Sequence, residues 1–159
     1  MAELFTPVSS LAMFHGFMGL LFIIFYSGAM VRLLEISKGS VKMLRYSTLG
    51  MTIAIWITSF TGLATYIFYR ASGAESARSR ILAGDFPWLH EVVFEFKEHA
   101  GMYPPIIMAV ATLMVWHYGD GIFKDKKIKN MIAILLTLAF LLTLMIFGLG
   151  ALVTKVEAV

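Results

Sequence analysis

Few side chains in this 159-residue chain can do chemistry, and the histidines are foremost among them. His15 lies inside a long uncharged run, His99 and His117 sit at the two ends of another, and His90 lies just before the second. Cysteine is absent, which excludes disulfides, iron–sulfur clusters, thiolate metal sites and covalent haem attachment. No acid lies inside an uncharged run and no Ser–His arrangement has an orienting carboxylate, so hydrolytic catalysis finds no support. Ligation remains. Two neutral imidazoles from separate helices can hold the iron of a b-type haem from both faces. A second donor set competes with it: Met18 follows His15 by three residues, Met102 follows His99 by three, and Met13 is near. Thioether sulfur with imidazole suits Cu(I), although methionine is also an adaptable filler of apolar helices.

The elements that must carry these residues are set by charge. Apolar residues make up 59% of the chain and charged ones 14%, against about 45–50% and about 25% in soluble domains. The mean hydropathy is +0.81. Residues 4–31, 46–69, 99–119 and 130–154 contain no Asp, Glu, Lys or Arg, and together they are 98 of the 159 residues. A hydrocarbon core needs about 20 apolar helical residues, so each run is long enough to span. The expected fold is all-α: one polytopic membrane domain over 1–159, an antiparallel bundle of four transmembrane helices. The spans are expected at about 9–33, 44–69, 99–118 and 129–153. Met1-Ala2-Glu3 lacks a basic n-region, so span I is expected to be retained rather than cleaved.

Between spans II and III, residues 71–85 are rich in Ala, Ser and Gly and read as an irregular connection. Residues 87–98 read as an amphipathic helix on the outer face, entered at Pro87. Its apolar stripe is Trp88, Leu89, Val92, Val93 and Phe96, with Glu91, Glu95 and Glu98 opposite and His90 expected in solvent. It can lie on the membrane surface, shield a cofactor as a lid, or do both.

Eight basic residues flank the I–II and III–IV loops: Arg32, Lys38, Lys42, Arg45, Lys124, Lys126, Lys127 and Lys129. The other side has five, with seven of the ten acids, among them Glu3, Glu75 and Glu157. The positive-inside rule then puts both termini and the II–III loop outside, in the periplasm of a bacterial inner membrane. The same clustering at span ends makes the net charge of +3 a topology signal rather than a nucleic-acid footprint.

In that topology His15, counted from Ser9 or Ser10 as N-cap, and His99 fall at similar depth near the outer surface, and His117 falls at the inner end. A porphyrin also needs space and partners for its propionates. Gly16 and Gly19 flank His15, Gly101 follows His99, Ser59 and Gly62 lie in the outer half of span II, and Gly148 and Gly150 in that of span IV. Arg70, ending span II on the same side, is the candidate propionate partner, with Arg78 and Arg80 after it. Small residues also serve plain helix packing, and arginines plain interfacial anchoring. Pro104-Pro105 either begin span III or kink a longer helix running from residue 87. His117 reads as an interfacial histidine, with a ligand or quinone contact as the alternative.

A histidine early in span I, Thr61-Gly62-Leu63 before an aromatic tail, a histidine opening span III and the ending Gly148-Leu149-Gly150-Ala151-Leu152-Val153 resemble a family of small four-helix bacterial membrane proteins, largely of unknown function. The resemblance covers most of residues 10–153 and implies a bound haem b. Where that family often has His-Pro or His-Phe-Pro, this chain reads Phe14-His15-Gly16-Phe17, so the carry-over is to His15 and His99. More loosely, the chain is similar to the cytochrome b anchor subunits of respiratory oxidoreductases, which pass electrons between a peripheral enzyme and the quinone pool.

The expectation is therefore a b-type cytochrome subunit with one haem on His15 and His99, and Gly16, Gly19, Gly62 and Arg70 around it. Its partners would be membrane or periplasmic subunits of an electron-transfer complex, the lipid bilayer and possible quinone, with no nucleic acid. Copper handling through His and Met pairs, and a cofactor-free structural subunit built around the apolar span IV, are the alternatives.

Overall fold

The first span begins earlier than its Ser9/Ser10 signal suggests. The Thr6 hydroxyl accepts from the Ser9 backbone N–H at 3.1 Å, and Pro7, whose ring presets a helical φ and which has no N–H to satisfy, opens the helix. Helix α1 then runs Pro7–Leu34. His15 is about two and a half turns from this cap, a turn deeper than counted from Ser9 or Ser10. The computed structural model describes residues 6–35, 39–73 and 76–156; Glu3, Lys38, Glu75 and Glu157 lie outside the described residues.

Helix α2 is Ser40–Tyr69, α3 is Ala77–Ala83, and a π-helical stretch Leu89–Phe94 leads into α4, Glu95–Ala100. Helix α5 is Tyr103–Tyr118, a 3-10 turn covers Gly119–Phe123, and α6 is Lys126–Val156. Asp125 caps α6, its carboxylate accepting from the backbone N–H of Lys127 at 2.8 Å. Four stretches are long and apolar enough to cross a membrane: Pro7–Leu34, Ser40–Tyr69, Leu89–Phe123 and Lys126–Lys155. The all-α, four-span bundle expected from the charge pattern is what the chain forms, with α1 against α2 and α6, and α5 against α2 and α6.

Small residues set the helix spacing. Ala29, Ala54, Ala111 and Ala139 are buried at the axis among Phe22, Met51, Met108 and Leu136. At Gly50 the ring of Phe25 lies 3.0 Å from where a Cβ would stand, so α1 rests on the backbone of α2. Hydroxyls tie α2 to α5: Thr112 donates to the Thr48 carbonyl at 3.1 Å and shares a 2.8 Å bond with Thr52. Ile67, Leu113, Ile134 and many other large apolar side chains are exposed around the outside, the surface a lipid-facing bundle presents.

Two connections differ from their expected form. The 71–85 segment is not wholly irregular: Ser76 accepts from the Ser79 N–H at 3.2 Å and starts α3, which buries Ala77 and Ile81, four residues apart on one face. The 87–98 segment is helical from Trp88, with a π turn inside it. The Glu95 N–H reaches back five residues to the His90 carbonyl, and this wider turn brings Leu89 and Phe94 to the inside together. Trp88, Val92 and Phe96 of the apolar stripe are exposed, while its Leu89 is buried. The segment packs against Tyr69, Ala77, Ile81 and Val153 at the end of the bundle where α1 begins and α6 ends.

Candidate functional site

Span II bonds to His15 itself and to the backbone two residues past His99. On α1, the Nδ1–H of His15 donates to the Thr58 carbonyl at 2.8 Å, with the Thr61 hydroxyl at 3.3 Å. The ring fits because position 62 is glycine: a Cβ there would lie 2.9 Å from His15 Cε1. One residue along, Ser59 donates to the Gly101 carbonyl at 3.4 Å, two residues past His99. That carbonyl is freed by the break at Gly101–Met102, after which α5 restarts with Pro104 and Pro105 in its first turn. The prolines thus begin a helix, and the piece 89–100 precedes it end to end.

His99 is exposed, and its Nδ1–H donates to the Glu95 carbonyl one turn back at 2.7 Å. Both imidazoles are thereby fixed in the same tautomer. A carbonyl only accepts, so Nδ1 carries the proton and the Nε2 lone pair is left for another partner. Neither Nε2 bonds to a described residue, and the two rings are not in contact with each other. A ring N–H held by a backbone carbonyl is the usual support of a metal-ligating histidine. By donor chemistry, Nε2 of each residue would suit a haem iron. Among the described residues no cluster of three or more His, Asp or Glu is placed to hold a bare metal ion.

The glycines divide by what occupies them. Gly62 seats the His15 ring, Gly19 lies against Phe147 at 3.9 Å, and Gly150 lies against the Lys97 stem at 3.1 Å. Gly16 is half-buried, yet a Cβ there would meet no atom within 4 Å, so it is the glycine beside His15 with room next to it. Met13 and Met102 are exposed and Met18 is half-buried. His117 is exposed at the opposite end, edge-on to Tyr118 at 4.8 Å.

The arginines are engaged. Arg70 donates to Glu95 Oε1 at 3.1 Å and lies over the Tyr66 ring, and Arg78 donates through Nε to His90 Nε2 at 3.0 Å. His90 corrects the reading that placed it in solvent: it is 4% exposed, because the π turn carries it inward with Phe94. Its Nδ1 is 3.1 Å from Tyr69 Oη, and Glu95 Oε1 is 3.7 Å from its Nε2. Tyr69 and Phe94 stack at 3.9 Å, with Tyr66 against both and the Lys97 ammonium over Phe94. Lys97 in turn pairs with Glu98 at 3.3 Å. This polar cluster went unread in the sequence because helical periodicity of 3.6 puts His90 on the wrong face. The pairing of Leu89 with Phe94 and of His90 with Glu95, each five apart, is the signal that carries it.

Comparison with protein-family models, curated sequences and solved structures finds no match.

Proposed function

We propose that the chain is a b-type cytochrome subunit that carries electrons through one haem held by His15 and His99. What supports this is the shared state of the two histidines. Each gives its Nδ1–H to a backbone carbonyl, Thr58 for one and Glu95 for the other, and each keeps Nε2 uncommitted, while α2 bonds to His15 and to the Gly101 carbonyl two residues past His99. A packing subunit has no use for that arrangement twice.

Haem iron, when bound, supplies one-electron uptake and release. The protein's part is to hold and to insulate. Thr58 and Thr61 orient the His15 ring, Gly62 gives it room, and Gly16 leaves space beside it. The carbonyl partners raise the basicity of both imidazoles, which would strengthen their hold on a haem iron. Arg70, the residue first assigned to a propionate, already gives one of its N–H groups to Glu95 and would share its charge between the two carboxylates.

The charge bias across the loops supports a bacterial inner membrane, with both termini and the 70–98 connection on the periplasmic side. Electrons would then pass between a periplasmic partner and quinone or a neighbouring subunit. The test is pyridine haemochrome quantitation of detergent-purified protein beside His15→Ala and His99→Ala. Stoichiometric haem b lost in both variants supports the reading. A colourless protein holding copper moves the histidines to the His/Met metal reading, and one holding neither cofactor in intact membranes leaves a structural subunit.

A further inference from the structure

His90 is a buried imidazole that haem ligation does not use, and its surroundings specify its proton count. An arginine nitrogen is only ever a donor, so the 3.0 Å bond from Arg78 Nε requires an unprotonated Nε2. The ring proton then sits on Nδ1 and is given to Tyr69 Oη at 3.1 Å. His90 is therefore held neutral with both nitrogens engaged.

A proton added at Nε2 reverses this. The nitrogen becomes a donor, Arg78 loses its acceptor, and two positive groups face each other at hydrogen-bond distance. Glu95 Oε1, at 3.7 Å from the same nitrogen, gains a donor in the exchange while keeping Arg70. Burial most of all, then Arg78 from α3 and Arg70 from α2, disfavours a charge on the ring, while Glu95 of α4 and Glu91 of the same stretch favour it. Tyr69 and Tyr66 face it from α2, and α6 contributes the apolar Val153.

What Arg78 anchors is α3. That helix has seven residues, too short to persist alone, and its apolar hold is Ala77 and Ile81 against the π stretch and its neighbours. We propose that His90 is a proton-operated latch: neutral, it fastens α3 to the end of the bundle through Arg78, and protonated, it transfers its bond to Glu95 and releases α3. The latch is independent of haem.

Amide hydrogen exchange of the lipid-embedded protein, expressed as protection factors for residues 77–83, tests it at about pH 8 and about pH 4.5. In the wild type, protection should fall by about tenfold or more on acidification. His90→Gln keeps an acceptor for Arg78 that does not titrate, so its protection should be equal at both values. Arg78→Met, which leaves His90 in place, should be unprotected at both. Wild-type protection that survives acid, or a fall in His90→Gln as large as in wild type, overturns the latch. Wild-type protection at about pH 8 in Arg78→Met overturns it too, including where His90→Gln does not accumulate.

Discussion

Gly62→Ala separates the seat of His15 from the stability of the span that carries it. The added Cβ would lie 2.9 Å from His15 Cε1 and 3.2 Å from Nδ1, where ordinary contact begins about half an ångström further out. The ring must retreat by that much, which stretches the 2.8 Å bond to the Thr58 carbonyl to the limit of hydrogen-bond distance. Losing that bond costs about 1 kcal/mol and the crowding about 1–3 kcal/mol, against a gain of about 1 kcal/mol from alanine in mid-helix. The net is a destabilisation of about 1–3 kcal/mol, with Nε2 of His15 displaced. Gly148→Ala in α6 is the matched control, since no atom lies within 4 Å of its Cβ and the helix-propensity gain stands alone. Thermal unfolding of the two variants in one lipid, with the haem spectrum of each, reads both effects. Gly62→Ala should melt below wild type with a lowered or altered haem signal, while Gly148→Ala should melt at or above it. Equal melting shifts and equal spectra for the pair refute the seating argument.

At the opposite end of the bundle, Gly119 has φ +50, and a Cβ there would meet Arg45 Nη2 at 2.9 Å, so Gly119→Ala should cost about 1–3 kcal/mol in chemical unfolding. Its expected cause is backbone strain together with loss of the Arg45 bond to the Trp116 carbonyl, and Arg45→Met should reproduce only the smaller, second part. Thr112→Val removes the donor to Thr48 and the partner of Thr52 between α2 and α5, for about 1–2 kcal/mol. An unchanged unfolding midpoint in Thr112→Val contradicts the view that hydroxyls lock these two spans.

The span count was legible because the uncharged runs are long and the charges between them few, and a bilayer leaves helices as the economical way to satisfy their backbones. The tether of His15 was half legible. Gly62 stands out as a small residue in the outer part of span II, but its occupant is an imidazole from α1, and only the packing of two helices reveals that. The start of α1 was misjudged because Ser9 and Ser10 are as good caps by type as Thr6, and Pro7 decides between them. His90 was misplaced for a geometric reason. The π turn, at whose end the Glu95 N–H reaches back to the His90 carbonyl, is wider than a period of 3.6 and carries His90 inward with Leu89 and Phe94. Arg70 was legible as the residue that ends span II, but its pairing with Glu95 depends on a helix end 25 residues away.

The central claim is that His15 and His99 ligate one haem. A dithionite-reduced minus oxidised spectrum of intact membranes containing wild type, His15→Ala and His99→Ala tests it most directly. The account predicts a low-spin b-type spectrum in wild type that is lost, or converted to a high-spin form, in each variant by itself. A wild-type spectrum that survives either substitution unchanged, or membranes that carry the protein in quantity and show no b-type signal, contradicts it.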